Sequence, residues 1–218
     1  YGGQGIVLAG TLLGKAASLY DGKEAVFTQA YGPEARGGAS RADVIISNAP
    51  IDYPYVTAPD VLVVLFQAAY ASFAGALKPG GVLIVEEDLV RLDDSAPPAC
   101  LLPATRMAEE LGNRIVTNVV VFGFLVGRTG VVSRAAAERA IQATVKSGAV
   151  DLNLRAFEAG FDRAGDDLLF PVDLLVAVLV VVLDLVGEQL PGVLVLPEEE
   201  RVDQAVGVPV APPHGKHV

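Results

Sequence analysis

The sequence predicts an α/β fold in which a mostly parallel sheet is covered by helices on both sides. Three observations carry this. Two short runs, Asp60 to Phe66 and Val82 to Val85, are apolar almost throughout, as strands covered on both faces are. Segments with helical spacing of apolar residues alternate with them. The apolar share of the 218 residues is 52%, enough for a sizeable core and too much for wholesale disorder.

The elements follow in order. Gly2, Gly3 and Gly5 precede a helix over 6–20, where Leu8, Leu12 and Leu13 share one face. Small residues there, such as Ala9, Gly10 and Gly14, allow close packing on a sheet. Asp21-Gly22 ends the helix, and 25–29 is a short strand. Residues 31–38 form a loop, because Gly, Pro and a Gly pair cluster there. Strands are predicted at 42–47, 60–66, 82–85 and 99–102, and helices at 68–77, 105–111 and 116–127. A Ser133-capped helix over 133–145 and an Asp-capped helix over 151–163 complete the body. The pattern is that of a Rossmann-like, three-layer α/β/α domain over 1–165.

Residues 166–218 differ in composition, as an apolar segment followed by a flexible acidic tail. They hold 9 acidic and 2 basic residues, against 17 and 14 in 1–165, so the net charges are −7 and −3. Residues 168–186 are the most hydrophobic stretch, but the uncharged run between Asp173 and Asp184 spans ten residues. Crossing a bilayer takes about 20. The segment is therefore predicted to be a buried or interface helix, with no membrane span.

Composition excludes several chemistries. The single cysteine, Cys100, cannot ligate an iron–sulfur cluster, which takes about four. Both histidines, His214 and His217, stand in the last five residues, so the body has no Ser–His or Cys–His pair. The net charge of −10 argues against nucleic acid as a partner. Acidic groups at 86–88 and 93–94 read as solvated loop charge after strands, and no metal site is expected.

Two motifs remain. Gly2-Gly3-Gln4-Gly5 before a helix offers backbone N–H groups to an anion, without the G-x-G-x-x-G spacing of a dinucleotide site. It reads equally as a tight strand–helix turn. The strand that usually leads into such a turn is absent, so the chain is expected to lack its natural N-terminus. The second motif is the loop Tyr31-Gly32-Pro33-Glu34-Ala35-Arg36-Gly37-Gly38. Arg36 stands between Ala35 and two glycines, where its fork has room for a carboxylate or phosphate. A local ion pair, Glu34–Arg36 or Arg41–Asp43, is the alternative. Asn118, in an otherwise apolar helix, reads either as a site group or as a helix-packing hydrogen bond.

Together these segments resemble the gamma subunit of 2-oxoacid:ferredoxin oxidoreductases. The resemblance rests on Gly2 to Ile6, Tyr31 to Gly38, Val44 to Ser47, Pro50-Ile51 and Asp60 to Leu62. Lys78 to Gly81, Ala104 to Asn113, Asn118 and Asn153 to Gly160 continue it to about residue 165. The resemblance implies oxidative decarboxylation of a 2-oxoacid to an acyl-coenzyme A, with electrons passed to ferredoxin. That is an oxidoreductase acting on an oxo group with an iron–sulfur protein as acceptor. It further implies that thiamine diphosphate, Mg and the iron–sulfur clusters sit on alpha, beta and delta-type partner subunits. This chain would bind none of them alone, would help receive coenzyme A, and would work in the cytoplasm. The implied coenzyme A residues are Gly2, Gly3, Gln4, Gly5, Tyr31, Glu34, Arg36, Gly37 and Asn118. No catalytic residue is assigned and the oxoacid is left open. The related indolepyruvate oxidoreductase beta subunit and a free-standing nucleotide-binding module are the other readings.

Overall fold

The computed structural model describes residues 4–31, 39–165 and 176–183. The chain divides into two units, Tyr1–Val186 and Gly187–Val218, and every described residue belongs to the first.

Six strands form one sheet: β1 (Glu24–Tyr31), β2 (Ala39–Ser47), β3 (Val61–Val64), β4 (Val82–Glu86), β5 (Ala99–Leu102) and β6 (Val176–Leu183). Their spatial order is β1-β2-β6-β3-β4-β5. β2 is antiparallel to both β1 and β6, while β6, β3, β4 and β5 pair in parallel. Five strands thus run one way and β2 alone runs against them, as a mostly parallel sheet requires.

Side chains alternate across this sheet. Val61, Val63 and Ile84 belong to one buried cluster with Leu12 and Leu13 of α1 (Gln4–Lys15). The same cluster takes in α3 (Ala104–Glu110), α4 (Thr117–Thr129), α5 (Arg134–Thr144) and α6 (Val150–Arg163). Leu62, Val64, Leu83 and Val85 point the other way, against Ala69 and Tyr70 of α2 (Gln67–Phe73). One face therefore carries five helices. The other carries α2 and the connections at 48–60 and 87–98.

The two faces are held by different means. On the helix-rich side, α4 and α6 meet through glycines. A Cβ at Gly160 would stand 2.8 Å from the Val120 carbonyl carbon, and one at Gly123 would stand 2.9 Å from that of Phe157. Only bare glycines let these backbones approach so closely. Phe122 and Phe157 then pack with centroids 5.5 Å apart and ring planes tilted by 49°.

Two expectations need correction. The stretch around 176–183 is a strand, not a helix, and it lies in the middle of the sheet between β2 and β3. Its composition, Val-Ala-Val-Leu-Val-Val-Val-Leu, is the β-branched kind that fills a strand covered on both faces. In addition, Asp151 does not cap α6. Ala149 holds that position, and Asp151 lies in the first turn, 3.5 Å from Arg155. The expected Ser133 cap is present, with its Oγ accepting from the Ala136 N–H at 3.1 Å.

Candidate functional site

The carboxyl ends of the five co-directional strands line one edge of the sheet. α1 ends in a π-helical turn, Ala16–Tyr20, which leads through Lys23 into the start of β1. α1 therefore runs back along the sheet, and its N-terminus at Gln4 lies at the carboxyl edge. α1 covers one face and α2, following β3, covers the other. The start of α1 therefore shares an edge with the carboxyl ends of the strands, the edge at which open α/β sheets bind ligands.

The predicted site residues can be placed against this edge. Gln4 and Gly5 lie in the first turn of α1, which starts two residues earlier than the sequence predicted. The first turn carries no acidic side chain, so its unpaired backbone N–H groups face the edge with the positive end of the helix dipole. Tyr31 is the last residue of β1 and brings its backbone to the same edge. Gly2, Gly3, Glu34, Arg36 and Gly37 lie outside the described residues. Asn118 is in the first turn of α4 and is 7% exposed. Just past the other end of α4, the Val131 carbonyl accepts from Lys23 Nζ at 2.7 Å, beside the start of β1. At ~1.5 Å per residue, α4 spans about 20 Å, so Asn118 sits toward the carboxyl edge. The fold thus brings Gln4, Gly5, Tyr31 and Asn118 to one end of the sheet.

The charges of the site show one expected pair and one departure. The Arg41–Asp43 ion pair that the sequence offered as an alternative is present: Arg41 Nε and Nη2 donate to Asp43 at 2.7 and 2.5 Å, and Nη2 also donates to the Val56 carbonyl at 3.1 Å. The guanidinium lies over the Phe73 ring, 5.9 Å from its centroid. The hydrogen bond to Asp43 raises the Arg41 pKa, so the charge persists but is matched. Arg41 pins the 48–60 connection to the sheet.

Glu86 was expected to be solvated with Glu87 and Asp88. It is buried, with 1% exposure, at the carboxyl end of β4. Its Oε2 accepts from the Thr105 N–H at 3.0 Å and the Thr105 hydroxyl at 3.2 Å, while Oε1 has no partner among the described residues. Burial pushes its pKa up, and the Thr105 donors oppose that shift. One signal was available in the sequence. Counting by twos from Val82 and Ile84 puts Glu86 on the helix-covered face.

The described residues offer little else that is reactive. Cys100 is a half-buried free thiol in β5, and no group of three potential metal ligands lies together among the described residues. No described helix is long and apolar enough to cross a membrane.

Comparison with known proteins fits this geometry. Residues 1–163 match the pyruvate ferredoxin/flavodoxin oxidoreductase family. The chain is 49% identical over 168 residues to the 2-oxoglutarate synthase subunit KorC of Methanocaldococcus jannaschii, covering 75% of this chain and 90% of that one. The KorC of Methanothermobacter marburgensis is 52% identical, with 73% of this chain and 90% of the relative covered. A keto/oxoacid ferredoxin oxidoreductase gamma subunit from Geobacter sulfurreducens superposes with a TM-score of 0.65 at 44% identity. That superposition covers 75% of this chain and 93% of the neighbour. The matched length, the motif order and the shared fold agree, and the chain belongs to the pyruvate ferredoxin/flavodoxin oxidoreductase family as a gamma-type subunit of the 2-oxoacid:ferredoxin oxidoreductases.

Proposed function

We propose that this chain works as one subunit of a coenzyme A-dependent 2-oxoacid:ferredoxin oxidoreductase, packed on alpha, beta and delta-type partners. In this reading the assembled enzyme converts a 2-oxoacid to its acyl-coenzyme A in the cytoplasm and passes the electrons to ferredoxin. The observation that carries it is the match to relatives that are themselves named as subunits, over about nine-tenths of their length. The relatives of highest identity quoted are 2-oxoglutarate synthase subunits, which favours 2-oxoglutarate as the oxoacid. Composition supports a division of labour. One cysteine cannot hold a cluster, which fits clusters carried by the partners, and the family resemblance implies that thiamine diphosphate with its Mg lies there too.

The contribution of this chain is anion recognition. Gly2 to Gly5 and the start of α1 present backbone N–H groups, and Arg36 supplies a guanidinium fork, for the phosphates of coenzyme A. Tyr31, Glu34, Gly37 and Asn118 complete the proposed coenzyme A set. When bound to the partners, thiamine diphosphate supplies the carbanion chemistry; this chain binds and orients the acyl acceptor.

The test is Arg36→Ala in the assembled enzyme. Loss of a charge-assisted contact worth ~1.5–3 kcal/mol lowers kcat/KM for coenzyme A about 10- to 100-fold, mainly through KM. Unchanged coenzyme A kinetics would remove Arg36 from the site. Titration of the purified chain with NAD, ATP and coenzyme A is the second check. Tight NAD binding by the isolated chain would replace this reading with a nucleotide-binding module.

A further inference from the structure

The face that carries α2 has one covering helix against five on the other, and it holds most of the apolar surface left open. Among the described residues seven large apolar side chains stand exposed, and five of them belong to the segments that build this face. Tyr53 and Tyr55 lie in the 48–60 connection, Leu89 and Leu92 in the 87–98 connection. Leu101 is in β5, where its register partner Val85 faces α2, so Leu101 shares that face. The tyrosines are the most exposed of the five, at 60% and 59%, and their rings meet edge to face with centroids 5.5 Å apart. Clusters of exposed apolar side chains mark interaction sites, and tyrosine is among the residues that dominate binding there.

Both connections are fixed in place by the chain itself. In the first, Ser47 Oγ accepts from the Ala49 N–H at 2.9 Å, Arg41 Nη2 donates to the Val56 carbonyl, and the Val56 side chain is buried. Pro50, Pro54 and Pro59 restrict the backbone between these anchors. In the second, the Gln67 side chain holds both backbone groups of Arg91, at 2.6 and 3.1 Å, and the Tyr70 hydroxyl donates to Asp93 at 3.0 Å. A surface held in this way loses little conformational freedom on binding.

Charge selects the kind of partner. Segments 48–60, 67–81 and 87–98 hold 6 acidic and 2 basic side chains, whereas 4–23 and 103–165, which supply the helices of the opposite face, hold 7 and 10. Lys78 pairs with Asp60, and Arg106 of α3 pairs with Glu87 and Asp88. Within these segments Asp52, Asp93 and Asp94 then stand against Arg91. A second copy of this face, or a surface rich in phosphate, would set like charge against like, whereas a basic protein surface is complementary. Resting on the subunit reading above, we propose that the α2 face is the docking surface for a partner subunit that presents basic side chains around an apolar patch. Tyr53 and Tyr55 are its anchors, and the aspartates steer the approach.

The experiment uses the assembled enzyme, isolated from its source cells through a tag on this chain, and native mass spectrometry over a dilution series at several ionic strengths. Tyr53→Ser combined with Tyr55→Ser should weaken the hold of this chain on the assembly about 30-fold or more, as loss of a binding hot spot does. Asp52→Lys combined with Asp94→Lys should slow reassembly after dilution and reduce its dependence on salt. Leu19→Ser, as exposed as the tyrosines but remote from this face, should leave the assembly unchanged. All five positions are exposed, so circular dichroism should report the wild-type fold, and the single tyrosine variants decide if the double one does not fold. A wild-type assembly that the tyrosine variants leave as tight as before, equal weakening by Leu19→Ser, or a tighter assembly on charge reversal would each overturn the proposal while the subunit reading stands. A wild-type chain recovered only as a monomer would remove both.

Discussion

Replacing Gly160 with alanine tests the contact that orients α4, the helix bearing Asn118. The new Cβ would run into the Val120 carbonyl oxygen, with the Val120 carbonyl carbon at 2.8 Å and the Phe124 nitrogen at 2.9 Å. Carbon contacts settle at ~3.5–4.0 Å, so α4 and α6 must part by about 1 Å or more. All three obstacles are backbone, so no side chain can swing aside. A gap of that size forfeits about a quarter to a half of each contact across the interface. That interface includes the packed pair Phe122 and Phe157. Overpacking of this kind costs ~1–3 kcal/mol, and two rigid helices place it at the upper end. Helix propensity returns about 1 kcal/mol, because alanine outranks glycine. The net expectation is a loss of about 2 kcal/mol, or roughly 4–8 °C in Tm for a chain of this size. Thermal and urea unfolding followed by circular dichroism measure it. Gly148→Ala is the control, since nothing lies within 4 Å of a Cβ there, and it should stay within about 0.5 kcal/mol of wild type. A Gly160→Ala chain as stable as wild type would refute the close-approach argument, as would equal losses in both variants.

Other perturbations follow from single contacts. Ser133→Ala removes the cap on the Ala136 N–H and the bond to Asp21 Oδ1 at 2.6 Å, and should cost about 1 kcal/mol by urea unfolding. Arg41→Met leaves the Asp43 carboxylate, 5% exposed, without its partner, and should lower stability by about 1–3 kcal/mol. The same change should speed proteolysis in the 48–60 connection, because the bond to the Val56 carbonyl goes with it.

The parts of the fold legible in the sequence are those set by local pattern. The run at 82–85 alternates its buried side chains between two faces and could only be a doubly covered strand. Ser133 before an alanine-rich amphipathic segment marked a helix start that the structure keeps. What escaped depends on distant partners. Residues 176–183 read as helix because a short apolar run fits both periods, and the slot between β2 and β3 decided the matter. Gly123 and Gly160 gave no local sign of their role, which is to let their two helices meet across 37 residues of chain. At the site, the Gly-Gly-Gln-Gly turn and Asn118 were visible as motifs. Glu86 was not, because its neighbours in sequence are solvated acids and only the pleat turns it inward. The Arg41–Asp43 pair was legible because residues two apart on a strand share a face.

Native mass spectrometry of the complex isolated from its source cells tests the central claim most directly, since it reads partner chains and cofactor load together. A gamma-type subunit should appear in one assembly with larger chains that carry thiamine diphosphate and iron–sulfur clusters. Recovery of this chain only as a monomer or as copies of itself would contradict the subunit reading.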